Sequence, residues 1–207
     1  MTIEAVVFDI GNVLIEWAPE RLYDRVYGEA RRREVFAAVD LAGMNDRVDL
    51  GEGFRDVIYA FADENPLYRD EIRLWHDRWL EMAGPAIPES VAMLRSLRDK
   101  GVPVFALSNF GAESFDIACR EYSFLTEFDR SYISAHHRLA KPDPAFFALL
   151  ETETGLSGAS LLFTDDRAEN IDAARARGWH AHLFDGPAGF ARTLITHGLL
   201  TAKEARP

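Results

Sequence analysis

Ala5-Val6-Val7-Phe8-Asp9-Ile10-Gly11-Asn12 joins four consecutive apolar residues to an acid and a glycine-bearing turn. A short apolar run that stops at turn residues reads as a strand buried on both faces. Working outward, the signature recurs in Val102 to Leu107 before Ser108-Asn109, in Leu161 to Thr164 before Asp165-Asp166, and more weakly in Ala181 to Phe184 before Asp185-Gly186-Pro187. Helical patterns separate these runs. Pro88 opens one with Val91, Leu94 and Leu97 on a stripe and Lys100-Gly101 closing it; Ala168 to Arg177 forms another, stopped by Gly178. Strands alternating with helices predict an α/β fold: a Rossmann-like parallel sheet with helices on both faces, whose ligands gather at the carboxyl ends of the strands.

The stretch from about Glu16 to Pro85 differs. It carries helical stripes, Phe54, Val57, Ile58, Phe61 and then Ile72, Trp75, Trp79, Met82, with no convincing strand. The expected organisation is therefore a catalytic core of residues 1–15 and 86–207 with a small α-helical cap, 16–85, inserted after the first strand. Gly43 to Gly53 reads as a polar, glycine-bearing break in that cap, suited to a flexible loop facing the cleft.

The 207 residues suffice for one substantial core with an appendage. No apolar run approaches a membrane span, and the N-terminus lacks a basic segment followed by a cleavage site, so a cytoplasmic location is expected. A formal charge of −11 argues against a nucleic-acid surface, because phosphate backbones recruit clustered Lys and Arg. A small phosphorylated metabolite needs only a few cationic groups in one cleft and remains compatible with it. Cys119 is the single cysteine, which excludes an internal disulfide and a thiolate metal cluster.

The polar strand ends carry the chemistry. A single acid such as Asp9 at a buried strand end is ordinarily a turn or capping residue. Ser108-Asn109 offers a hydroxyl and amides at a strand-to-helix turn, a cradle for an anionic oxygen that is weak alone. Lys141 sits in Ala140-Lys141-Pro142-Asp143-Pro144, where two prolines stiffen the approach and aim the ammonium. Helix capping explains one of Asp165-Asp166; two adjacent acids before a helix containing Asn170 point to a hard cation such as Mg²⁺. If Asp9, Asp165 and Asp166 converge with a phosphate, each close like-charge pair costs about 4 kcal/mol at roughly 4 Å and an effective dielectric of about 20. Lys141 alone does not offset that, whereas a divalent cation with Lys141 does.

In order, Phe8-Asp9-Ile10-Gly11-Asn12-Val13-Leu14, Leu107-Ser108-Asn109, Lys141-Pro142-Asp143-Pro144 and Asp165-Asp166 with Asn170 resemble the four motifs of the haloacid dehalogenase superfamily. Each motif is weak by itself; four in sequence at strand ends form a strong signal. The resemblance implies a Mg²⁺-dependent phosphatase in which Asp9 attacks phosphorus to form an aspartyl-phosphate that water releases. It implies Mg²⁺ held by Asp9, the Gly11 carbonyl and Asp166, with Asp165 as a ligand or supporting anchor. Ser108 and Lys141 would act on the phosphoryl oxygens, Asn12 and Asn109 would join them in binding substrate, and Asn170 would support the metal acids.

Related phosphatases commonly carry a second Asp two residues after the nucleophile as general acid and base, and Gly11 stands there instead. The loss of such a group costs about 10²- to 10⁴-fold in rate. The first strand also resembles that of sugar 1-phosphate phosphatases, which share the Asp-x-Gly-Asn-Val arrangement. An anomeric oxygen leaves readily, so glucose 1-phosphate is expected to turn over faster than glucose 6-phosphate; the reverse order in matched assays counts against a sugar 1-phosphate substrate. Two other readings stand beside the phosphatase: a metal-independent 2-haloacid dehalogenase, disfavoured because its fourth motif usually replaces the paired acids, and a catalytically silent protein that kept the fold. Trp75 and Trp79 read as core, His136 and His137 as loop residues, and Arg31 to Arg33 as a solvated helix face; Arg47 in the cap loop could meet a substrate, but none of these is a candidate site residue.

Overall fold

The computed structural model describes residues 2–205. In chain order β1 (Ala5–Phe8) and β2 (Ile15–Trp17) precede the helices α1 (Pro19–Tyr27), α2 (Glu29–Ala38), α3 (Leu41–Asp49), α4 (Phe54–Glu64) and α5 (Arg69–Asp77). Then come β3 (Ala83–Ala86), α6 (Pro88–Asp99), β4 (Val104–Ser108), α7 (Ala112–Glu121), β5 (Arg130–Ile133), α8 (Ser134–His137) and α9 (Pro144–Thr154). The chain finishes with β6 (Leu161–Asp165), α10 (Ala168–Ala176), β7 (His180–Leu183) and α11 (Pro187–Thr196).

Five strands form one sheet in the order β5-β4-β1-β6-β7, and all its pairings are parallel. β1 is central and fully buried. Because side chains alternate across a strand, its residues divide between two cores. Val6 and Phe8 join Val104, Ala106 and Leu162 on the face covered by Leu94, Leu97 and Phe190. Ala5 and Val7 join Phe105, Leu107 and Phe163 on the face covered by Phe146, Phe147, Leu150 and Ile171. Helices on both faces are thus required by the sequence of the strands. After β1 the chain goes first to β4 on one side and later to β6 on the other, so a crevice opens at the carboxyl end of β1, where ligands bind in open α/β sheets.

Three expectations are corrected. The segment after β1 is not free of strands: β2 and β3 form an antiparallel ribbon, Ile15 opposite Ala86 and Trp17 opposite Ala83, across both ends of the helical stretch. Three residues are too few to show alternation, and the Ala-Gly-Pro-Ala sequence of β3 is unlike a strand interior. Secondly, Gly43 to Gly53 is not one loop. Asp40 caps α3 by accepting the Gly43 N–H at 2.8 Å, and Leu41, Met44 and Val48 form a buried stripe, so helix continues to Asp49 and only the next few residues break. Thirdly, β5 lacks a sequence signature because it is a short edge strand whose first residue, Arg130, is exposed. Among the described residues no helix is long and apolar enough to cross a membrane.

Candidate active site

Asp9 follows β1 directly, and its N–H donates to the Thr164 carbonyl of β6 at 2.9 Å, extending the sheet by one rung. Its carboxyl Oδ1 accepts from the Ile10 N–H at 2.7 Å and the Ser108 hydroxyl at 2.7 Å, and lies 2.9 Å from the Lys141 ammonium. Lys141 Nζ is also 2.6 Å from Asp165 Oδ2. Asp165 has both oxygens engaged, since Arg167 N–H donates to Oδ1 at 2.8 Å and the Asn170 amide reaches both at 3.0 Å.

Burial pushes the Asp9 carboxyl up to about 6; Lys141 opposes this, Asp165 adds to it, and the Ser108 hydrogen bond lowers it again. Burial drives Lys141 down, but the charges of Asp9 and Asp165 and their hydrogen bonds outweigh it, and its pKa ends above the ordinary lysine value. The ammonium is therefore charged, with its side chain 1% exposed. One cation between two buried carboxylates fixes the relative positions of β1, β6 and the Lys141 loop.

The turn after Asp9 places the rest. Asn12 adopts a left-handed backbone, φ 55°, which asparagine tolerates better than most residues. Its Nδ2 donates to Asp166 Oδ2 at 2.9 Å while its Oδ1 accepts the Trp17 N–H at 2.9 Å. Both ends of that amide thus make a contact within the chain, and Asn12, expected to bind substrate, is engaged with Asp166 at the edge of the cavity. Asn109 is engaged as well: its Nδ2 donates to the Lys141 carbonyl at 2.9 Å and its Oδ1 accepts the Lys141 N–H at 2.7 Å, a reciprocal clamp on the lysine backbone.

Asp9, Asp165 and Asp166 each bring a carboxylate oxygen within 4.8 Å of the others. With Asp9 Oδ1 and Asp166 Oδ2 taken by donors, their second oxygens remain for a cation, and an all-oxygen set of this kind suits Mg²⁺. The residues present fit that ion.

Asp9, Ser108, Lys141 and Asp166 floor a cavity of about 480 Å³, with Asp165 buried beneath it. Trp17, Trp75, Trp79 and Phe110 form one wall, with Trp79 and Phe110 rings edge-on at 5.6 Å. Trp75 and Trp79 are core residues that also face the cleft. Arg47 is outside this lining and forms a bidentate pair with Glu52, while Arg31, Arg32 and Arg33 pair with Glu34, Asp24 and Glu29. His136 and His137 pack on Phe115 and Tyr132. Sequence reasoning does not single out Asn45 and Asp49, which line the cavity from α3. Their stretch reads as a polar loop, and only the fold turns that helix inward.

The sequence profile of haloacid dehalogenase-like hydrolases matches residues 3–178. The chain belongs to that family. Among curated relatives of this hydrolase, drimenol cyclase drtB of Aspergillus calidoustus is 23% identical over 88% of the chain, which spans only 34% of that protein. Enolase-phosphatase E1 of Erwinia tasmaniensis is 27% identical over 83% of the chain and 79% of its own length. Sesquiterpene phosphatase astK of Aspergillus oryzae is 26% identical over 90% of the chain and 93% of its own length. Among solved structures, the haloacid dehalogenase family enzyme bt-2542 of Bacteroides thetaiotaomicron, in complex with magnesium and inorganic phosphate, superposes with a TM-score of 0.69 at 22% identity, covering 87% of this chain and 93% of that one. The L-2-haloacid dehalogenase of Xanthobacter autotrophicus superposes with a TM-score of 0.64 at 18% identity, covering 99% and 87%. Both chemistries share the fold, so likeness of fold does not choose between them.

Proposed function

We propose that this hydrolase cleaves a small phosphate monoester with Mg²⁺ as cofactor and Asp9 as nucleophile, the helical stretch 16–85 serving as a cap over the cleft. The observation that carries this is the Asp9 carboxyl itself: three donors pin its Oδ1, and a carboxylate oxygen of each of Asp9, Asp165 and Asp166 lies within 4.8 Å of the others. A carboxylate held in this way has little freedom to lose on attack. Asp9, the Gly11 carbonyl and Asp166 would hold Mg²⁺, which supplies charge neutralisation and polarisation of the phosphoryl group. Asp165, with both oxygens committed, orients Lys141 rather than ligating freely. Lys141 and Ser108 would stabilise charge on the transferring oxygens, and Asn12, Asn109 and Asn170 would hold Asp166, Lys141 and Asp165 in place.

The aromatic wall suits the face of a small alcohol or sugar ring. The acids Glu16, Glu20 and Asp46 around the same cavity would repel a second anionic group, so monophosphates are favoured over bisphosphates. The paired acids at Asp165-Asp166 favour the phosphatase over the dehalogenase. A panel of phosphate monoesters assayed with Mg²⁺ and with EDTA tests it. Phosphate release in Mg²⁺, abolished by EDTA and restored by excess Mg²⁺, is expected. Halide release from 2-chloropropionate that survives EDTA, with no phosphate release, rejects the proposal.

A further inference from the structure

Gly11 leaves the site without an acid next to the nucleophile, yet a Cβ at Gly11 would meet nothing within 4 Å, so the fold does not forbid a side chain there. The carboxyl is simply supplied from another position or not at all. Of the additional acids lining the cavity, Glu20, Asp40 and Asp46 are exposed and Glu16 is paired with Arg21 at 2.7 Å, whereas Asp49 is half-buried at the end of α3 and has no cationic partner among the described residues.

Several contacts fix Asp49 against the core. Its carbonyl accepts the Ser134 hydroxyl at 2.6 Å. The preceding residue, Val48, lies so close to Gly111 that a Cβ there would come within 2.5 Å of Val48 Cγ1. The end of α3 is therefore docked on the loop that follows Ser108 and Asn109. Asn45, one turn earlier, sets the side chain: its Oδ1 accepts the Trp75 indole N–H at 3.1 Å, and its Nδ2 donates to Asp49 Oδ2 at 2.9 Å. Because indole N–H is only a donor, it dictates which end of the amide faces Asp49.

We propose that Asp49 is the general acid and base of this site, with Asn45 as its positioning residue. The inference rests on the reading of Asp9 as nucleophile. In-line attack places the leaving oxygen on the side of phosphorus away from Asp9, toward the rest of the cavity, and α3 contributes Asn45, Asp46 and Asp49 to the lining of that same cavity. In the first step the Asp9 O–P bond forms, the bond to the leaving oxygen breaks, and the Asp49 proton passes to that oxygen. In the second, water attacks phosphorus, the Asp9 O–P bond breaks, and the water proton returns to Asp49. Titration is consistent with both duties. Burial, then the Asp46 charge, push the Asp49 carboxyl up, the Gly111 amide holds it back, and Asp9 adds a further push, to about 7. Asp46 on its own helix and Asp9 across the cleft are the charges raising it. A group poised near neutrality can give and take a proton.

The test compares kcat/KM of the unaltered protein and Asp49→Asn on the best alkyl phosphate of the panel and on p-nitrophenyl phosphate, whose leaving group needs no proton. Asp49→Asn is expected to lose about 10²- to 10⁴-fold on the alkyl ester and under about tenfold on the aryl ester. It should also lose the fall in alkyl-ester kcat/KM above about pH 7. The ratio of the two losses is unaffected by any misfolded fraction. Equal losses on both esters, or none on either, overturn the assignment. The nucleophile is judged separately, by whether the unaltered protein turns over p-nitrophenyl phosphate and Asp9→Asn does not.

Discussion

Asp9→Asn should abolish turnover, by more than about 10⁴-fold in kcat, while leaving the fold intact. The amide has the shape of the carboxyl, so Ile10, Ser108 and the surrounding sheet keep their packing, but it has neither the charge nor the nucleophilicity to form an ester with phosphorus. Stability is the control that gives the result meaning. The folded pKa of Asp9 lies above its ordinary value, so its contribution is present below the unfolded pKa, about 4, and is lost as pH rises through about 6. At pH 8 in EDTA the ionised carboxylate is a burden on the fold, and the neutral amide relieves it. Lys141 retains Asp165 at 2.6 Å as counter-ion. The variant should therefore melt no lower than the parent at pH 8 in EDTA, and its relative advantage should shrink at pH 5. Activity retained within tenfold would remove Asp9 from the nucleophile's role; activity lost together with a melting point many degrees lower would leave only a structural role.

Most of the sheet was legible because its strands are short, apolar on both faces and stopped by polar residues, the pattern a two-sided burial imposes on β1, β4 and β6. The edges were less so. β7 is half-exposed and reads weakly, and β5 begins at an exposed arginine, since an edge strand is not obliged to be apolar throughout. The stretch after β1 reads as helical and is mainly so, but the β2–β3 ribbon depends on pairing between residues some 70 positions apart, which no local pattern records. The convergence of Asp9, Lys141 and the Asp165-Asp166 pair could be anticipated from the rule that strand ends share one edge of a parallel sheet. What Asn12 and Asn109 touch could not, because an asparagine that binds a ligand and one that clamps a neighbour look alike in sequence. Asp49 was hidden for another reason: a half-buried acid reached through helix α3 acquires its environment from Ser134, Gly111 and Trp75, all remote in the chain.

Lys141→Met should be the most destabilising single change at the cleft floor. The lysine side chain is 1% exposed, its ammonium lies within 2.9 Å of Asp9 and 2.6 Å of Asp165, and Phe163 lies 5.5 Å from it on the apolar side. Methionine fills comparable volume, so the loss is electrostatic: two buried carboxylates remain without their cation. Breaking a buried pair in this way costs about 3–5 kcal/mol, because the partner charges stay desolvated. The cost depends on pH through the acids and not through the lysine. Lys141 is raised above its ordinary value, so its own contribution fades only at pH above that of free lysine. Without the Lys141 charge that lowers it, the Asp9 carboxyl is pushed higher than in the parent and takes up a proton more readily as pH falls, so one of the two stranded charges disappears and the penalty should be smaller at pH 5 than at pH 8. A cation held by Asp9 and Asp166 would partly replace the missing ammonium, and millimolar Mg²⁺ should recover part of the lost stability without recovering activity. Urea unfolding at both pH values, with and without Mg²⁺, reads all three statements. A loss below about 0.5 kcal/mol at pH 8, the size expected of a surface substitution, would mean that the ammonium does not hold the two acids together.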